Sequence, residues 1–175
     1  MTDYVAGFLF SEDRSQVVLI LKDHPEFQRG KFNAIGGKIR PGESPFQAMR
    51  REFLEEAGVD IPEGLWEPSV LLAGDCWRVF TFAAYGDVRK ARTTEAEQVY
   101  TFPVSHVSNL PTLRNVPMLI ALCLDVTIHK PILLTDAEIR KTPADVTNVF
   151  HRFAMPSEGP VLVSPPGDPD DAMHG

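Results

Sequence analysis

Two apolar, β-prone runs, Tyr4–Phe10 and Val17–Leu21, flank the polar, turn-like stretch 11–15, which predicts a β-hairpin. Lys22–Lys31 reads as a polar loop. Phe32–Ile35 then leads into Gly36-Gly37, where a backbone can bend freely or approach a ligand closely. The period changes next. Phe46, Met49, Phe53 and Ala57 recur at helical spacing and define a core-facing stripe. Ser44 is a candidate N-cap, Pro45 sits at the first helical position, Gln47 completes a capping box and Gly58 is a stop signal. The pattern predicts a helix over Pro45–Ala57. Beyond it, Val70–Ala73 and Trp77–Tyr85 read as strands separated by Gly74-Asp75, and Gln98–Val104 as another. A second helix is expected within Asn115–Leu124, a strand over Ile128–Leu134, and a helix from Thr142 to about Phe153. From Pro156 onward the chain is rich in Pro, Gly and Asp, so a disordered tail is expected over 156–175. No internal repeat is visible. Strands and helices mix without regular βαβ alternation, which predicts an α/β sandwich and not a doubly wound sheet. One domain over 1–155, with an extension from about 126, follows.

Composition narrows the partners. The 175 residues carry a net charge of −7, which repels a polyanion and argues against grip on polymeric nucleic acid. A small phosphorylated ligand stays compatible, because a bound divalent cation reverses the local field. Cys76 and Cys123 lie far apart without C-x-x-C spacing, so both are expected to be small buried apolar residues in a reducing compartment. The longest apolar run, Val116–Leu124, is too short to span a bilayer, and no leader is visible. A cytoplasmic protein with no membrane partner is expected. His24, His106, His129, His151 and His174 show no ligand spacing and are read as surface or structural.

The predicted helix has a second face. Glu52, Glu55 and Glu56 are spaced i, i+3, i+4 and share one side, with Glu43 just before the helix. Like charges at that spacing cost a helix roughly 0.2–0.5 kcal/mol per pair, and no Lys follows four residues on to offset them. A solvated acidic face and a site for a hard divalent cation both fit these three residues. The longer stretch decides more. Gly37, Glu43, Arg51, Glu52, Glu55, Glu56, Gly58 and Val59 match in register the Nudix box, G-x5-E-x7-R-E-U-x-E-E-x-G-U, and the chain therefore resembles the Nudix hydrolases. Phe53 departs from the aliphatic position U and lies on the apolar stripe, so it reads as a packing change.

The resemblance implies a Nudix αβα sandwich with a mixed β-sheet and Mg2+-dependent hydrolysis of a phosphoanhydride bond, with Mn2+ able to substitute. It implies Glu52, Glu55 and Glu56 as metal ligands and catalytic acids, with Glu56 or a neighbour orienting the attacking water. It implies that a Gly36-Gly37 carbonyl, taken at Gly37, lends the metal an oxygen and that Arg51 holds a box glutamate in place. Glu43 is expected to do similar structural work. Such enzymes often recruit an acid from outside the box; Glu95 and Glu97 are placed for it, and Glu97 lies nearer the strand. Phe32-Asn33-Ala-Ile-Gly-Gly-Lys38 is similar to the W-N-G-x-G-G-K stretch of MutT-like enzymes, with Phe32 for Trp and Ala34 for Gly. There the matching Asn contacts a base, and an amide offers both donor and acceptor, so Asn33 is a candidate purine reader or else a cap for backbone at a bend. Lys38, Phe27, Trp77, Arg114 and Asn115 complete the expected substrate-binding set. The implied substrate is a small nucleotide, foremost a (deoxy)nucleoside triphosphate cut to monophosphate plus pyrophosphate. ADP-ribose and dinucleoside polyphosphate are alternatives, each lacking its branch marker where Gly74-Asp75 and Trp77 stand. A non-catalytic nucleotide sensor, whose box is usually eroded, and an isoprenoid diphosphate isomerase are the readings of other classes. Homodimers are common among such enzymes, and no residue here demonstrates one.

Overall fold

A computed structural model describes residues 1–135 and the strand pair 151–152. Among the described residues, eight strands form one mixed sheet: β1 (Thr2–Phe10), β2 (Gln16–Lys22), β3 (Lys31–Asn33), β4 (Glu67–Ala73), β5 (Trp77–Tyr85), β6 (Gln98–Pro103), β7 (Ile132–Thr135) and β8 (His151–Arg152). Their order is β3-β2-β1-β5-β4-β7-β8, with β6 pairing β2. β1 runs parallel to β5 along its whole length and β4 parallel to β7, whereas the other pairings are antiparallel. Helix α1 (Pro45–Ala57) packs on one face and α2 (Val116–Leu124) on the other.

Period-two alternation explains the two faces. On β1, Val5 and Leu9 face the α1 layer, while Phe8 and Phe10 face the α2 layer. On β2, Val18 and Ile20 face α1, and Val17 and Leu19 face α2. Both layers are therefore dry, which is why these strands read as continuous apolar runs. Helix α1 forms as its sequence predicts: Ser44 accepts from the Gln47 N–H, the reciprocal Gln47 bond completes the capping box, and Gly58 closes the helix at φ 67°. Met49, Phe53 and Ala57 are fully buried, and the Phe53 ring lies 5.2 Å from that of Trp66. α1 approaches β1 closely because Gly7 has no side chain; a Cβ there would stand 2.6 Å from the Met49 sulfur.

The hairpin is real but splayed. β1 and β2 meet in register at Phe10 and Val17, and beyond that β2 turns to β3 and β6. The vacated edge of β1 is taken by residues 35–39: Gly7 and Ile35 exchange backbone bonds at 2.7 and 3.2 Å, the Val5 N–H donates to Gly37 O at 2.9 Å, and the Ile39 N–H donates to Asp3 O at 2.9 Å. This wedge places the diglycine at the mouth of the splay.

Several expectations need correction. β2 runs on through Lys22, and the loop after it contains a 3-10 turn at Glu26–Gln28. β4 begins at Glu67, and β7 begins only at Ile132. Most of the helix expected from Thr142 lies outside the described residues, as does the tail; at its end, 151–152 are strand, paired with β7, because that open sheet edge offers ladder bonds. Cys123 is buried, but Cys76 is exposed, since it sits in the β4–β5 turn. Among the described residues no helix is long and apolar enough to cross a membrane.

Candidate active site

A cavity of about 730 Å3 opens at the splay between β1 and β2. Gly36-Gly37 forms one wall; position 36 requires glycine, and at position 37 a side chain would displace the Glu52 carboxylate. A Cβ on Gly36 would fall on the Val5 carbonyl, and one on Gly37 would stand 2.7 Å from all three atoms of the Glu52 carboxylate. The helix thus lays Glu52 directly over the diglycine backbone. Glu56, one turn on, is 9% exposed and accepts the Gly36 N–H at 3.1 Å.

Opposite α1 stands Glu97, 7% exposed, just before β6. It accepts the Asp23 N–H at 2.7 Å and the His24 N–H at 3.3 Å and forms a short ion pair with Lys22. The Lys22 ammonium also lies 3.9 Å from Glu56. Burial pushes the Glu56 carboxyl up to about 7, against the pull of Lys22 and the Gly36 N–H, with Glu52 and Glu97 adding to the rise. Burial acts the same way on Glu97, but Lys22 and two backbone donors outweigh it and hold that carboxyl below its ordinary value. Two carboxyls in one cavity are thereby driven apart, an arrangement typical of functional sites.

Arg51 ties the rest of the acidic face together. Its guanidinium bonds Glu43 at 2.6 and 2.8 Å, Glu52 at 2.5 Å, Glu55 at 3.1 Å and the Lys38 carbonyl at 3.2 Å. The Arg51 fork holds the Glu43 carboxyl down to about 2. This arginine supplies the neutralising charge that a search for lysines four residues on misses. Glu55 is not among the cavity-lining residues; it pairs with Arg40 and shares Nη1 of Arg51 with Glu52, its side chain 37% exposed.

The donor set suits a hard cation. Glu52, Glu56 and Glu97 offer oxygens on one cavity, beside the Gly36-Gly37 backbone. A cation already bridges two of them, in the form of the Lys22 ammonium. Among the described residues no three acidic, sulfur or imidazole side chains stand as a closed metal cage; Arg51 holds Glu52 through Oε1, which leaves Oε2 for an ion, and Glu97 would exchange Lys22 for it. The Gly37 carbonyl accepts the Val5 N–H, which leaves it one lone pair.

Of the expected substrate residues, Asn33, Lys38, Phe27 and Trp77 line the cavity, as do Tyr4, Ala6 and Val79. Phe27 is 67% exposed at its mouth. Arg114 and Asn115 do not line it; they stand at the start of α2, where Asn115 is the N-cap residue without a side-chain bond. Glu95, the other acid considered outside the box, lines the cavity with Glu97; Lys22, His24 and Gln28 line it too and were not singled out from the sequence as ligands. Lys22 closes an apolar strand, but its partners Glu56 and Glu97 lie far along the chain, so no local signal marked it.

The NUDIX domain family pattern matches residues 1–125. Human 8-oxo-dGDP phosphatase NUDT18 is 31% identical over 103 residues, covering 55% of this chain and 30% of the relative. The oxidized purine nucleoside triphosphate hydrolase of Danio rerio is 51% identical over 35 residues, 20% of this chain and 22% of that protein. This chain thus matches about a third or less of the length of these curated relatives. A MutT structure from work on Aliivibrio salmonicida and Vibrio cholerae superposes with TM-score 0.60 at 24% identity, covering 70% of this chain and 96% of that one. The Nudix domain of Shewanella oneidensis NrtR, complexed with ADP ribose, gives TM-score 0.60 at 20% identity, covering 69% and 84%. Both structures share the fold. With the family pattern running from the first strand to the end of α2, the chain belongs to the Nudix family.

Proposed function

We propose that this protein hydrolyses a phosphoanhydride bond in a small nucleotide, foremost a purine nucleoside triphosphate cut to monophosphate plus pyrophosphate. The observation that carries the reading is Glu56: a buried carboxylate pinned by the Gly36 N–H, facing the same cavity as Glu52 and Glu97. Glu52, Glu56, Glu97 and a diglycine carbonyl would hold Mg2+, with Mn2+ able to replace it; once bound, such an ion neutralises phosphate oxygens and activates a water.

The chain's own groups then have separate tasks. The Gly36 N–H fixes Glu56 Oε2, so Oε1 is the oxygen that faces Lys22. Burial raises the Glu56 carboxyl to about 7 in the metal-free cavity; a bound divalent cation would lower it and keep it ionised, the form that can take a proton from water. Arg51 fixes Glu52 and positions it without reaching substrate. Glu55, outside the cavity, acts through the Arg51 network. Lys22 and Lys38 supply positive charge to the phosphates, and Phe27 and Trp77 offer aromatic faces for a base. The relatives named for oxidised purine nucleotides favour a purine and widen the candidates to a nucleoside diphosphate.

The test is hydrolysis with Mg2+ over a panel of ordinary and oxidised nucleoside di- and triphosphates, ADP-ribose and a dinucleoside tetraphosphate, with products separated chromatographically. Glu56→Gln and Glu52→Gln should fold normally and lose activity by on the order of 100-fold or more. Near wild-type turnover by both variants would sink the assignment. Tight binding of one compound without turnover would instead favour a nucleotide sensor.

A further inference from the structure

The end of α1 is satisfied from far along the chain. The Leu54 carbonyl takes the Gly58 N–H at 3.1 Å, and the next three carbonyls have no donor within the helix. One distant segment supplies all three. The Thr94 hydroxyl donates to Glu55 O at 2.5 Å, the Thr94 N–H to Glu56 O at 3.4 Å and the Arg92 N–H to Ala57 O at 3.0 Å. Gly58 admits the segment, because a Cβ there would stand 2.9 Å from the Thr94 methyl. The segment is also tied to itself, since the Val99 N–H donates to the Thr93 hydroxyl at 3.0 Å. Glu97 lies between these ties, three residues past Thr94. Its Oε1 accepts the Asp23 and His24 N–H groups, and its Oε2 faces Lys22. Thr94 thus grips the turn of helix that carries Glu56 and, through a short piece of chain, the carboxylate on the opposite wall.

We propose that Thr94 is a positioning residue that holds Glu97 opposite Glu56. The inference rests on the reading of these two carboxylates as cation ligands and names the contact that spaces them. Thr94 is exposed and does not line the cavity, so it touches neither an ion nor a phosphate. It acts by geometry. The hydroxyl stands 2.5 Å from the Glu55 carbonyl oxygen, whereas a methyl in the same place stays about 3.3 Å away or more. Thr94→Val keeps the shape of the side chain and therefore lifts the segment off the helix by roughly 1 Å. Ligand oxygens sit at about 2.0–2.1 Å from Mg2+ in near-ideal geometry, so a shift of that size between two ligands weakens the site.

The experiment compares wild type, Thr94→Val and Thr94→Ser in three readouts: amide hydrogen exchange without metal, Mn2+ binding by calorimetry, and kcat and KM for guanosine triphosphate with Mg2+. In Thr94→Val the Asp23 amide should exchange about tenfold faster relative to the core Phe8 amide. Mn2+ should bind about tenfold more weakly, and kcat should fall with KM little changed. Thr94→Ser keeps the donor and should bring all three to within about threefold of wild type. A purely structural role would raise exchange evenly and leave the Mn2+ affinity of the folded protein unchanged. An Asp23 amide that exchanges no faster in Thr94→Val, a rise shared evenly with Phe8, or a failure of serine to restore protection would overturn the proposal. Faster Asp23 exchange with serine rescue, in a protein that binds no Mn2+ and hydrolyses nothing, would uphold the role of Thr94 and end the cation reading. Mn2+ binding and turnover untouched by Thr94→Val would keep that reading and overturn the proposal.

Discussion

Replacing Arg51 with Met keeps the aliphatic stem and removes the guanidinium. Five bonds then vanish, to Glu43, Glu52, Glu55 and the Lys38 carbonyl. Three carboxylates are left facing one another around α1. The side chains of Arg51, Glu43 and Glu52 are 15%, 20% and 13% exposed, so the network is mostly but not wholly shielded. Breaking a buried pair costs about 3–5 kcal/mol, and partial solvent access puts this one at the lower end, about 3 kcal/mol. For a domain of this size that is a fall in Tm of about 10 °C. The pH dependence has a definite sign. The folded state holds Glu43 at about 2 against an ordinary 4.5, so its contribution is complete above the ordinary value and is lost as pH falls toward about 2. Urea titrations of wild type and Arg51→Met between pH 7 and pH 3 should therefore converge on the acid side. Arg51→Lys should recover only part of the difference, since an ammonium cannot fork across Glu43 while reaching Glu52. A loss below about 0.5 kcal/mol at pH 7, or a gap that widens on acidification, would refute the reasoning.

Three other outcomes follow from particular contacts. Gly37→Ala places a Cβ 2.7 Å from the Glu52 carboxylate; far-ultraviolet circular dichroism should be retained while hydrolysis falls at least tenfold, and full activity would show that Glu52 can move without consequence. Phe53→Leu restores an aliphatic residue but vacates space against Trp66, so denaturant titration should show a loss of about 1–2 kcal/mol with kcat preserved. A thiol reagent should label Cys76 in the native protein and Cys123 only after unfolding, because burial pushes the Cys123 thiol up to about 11; rapid labelling of both would contradict the packing of α2.

The sequence alone determined what local physics encodes. Helix α1 announced itself through Ser44, Pro45, Gln47 and Gly58, because caps and stop signals act within a few residues, and each formed as read. The strands were legible because burial on both faces demands unbroken apolar runs. Three carboxylates on one helical side followed from the 3.6 period. Other features were illegible because they depend on what distant segments bring. The splay of β1 from β2, and the entry of residues 35–39 into the gap, depend on where β6 and β5 pair. That splay divides the acidic face: Glu52 and Glu56 enter the cavity, whereas Glu55 points to Arg40 and Arg51. Lys22 and Gln28 sat in what read as a polar loop, and only the approach of Glu97 from 75 residues away and of Asn33 from β3 gives them partners. A charge's neighbours along the chain fix its spacing, but its burial and its counter-ion come from tertiary contacts, and these set the pKa of Glu56 and decide which carboxylates face the cavity.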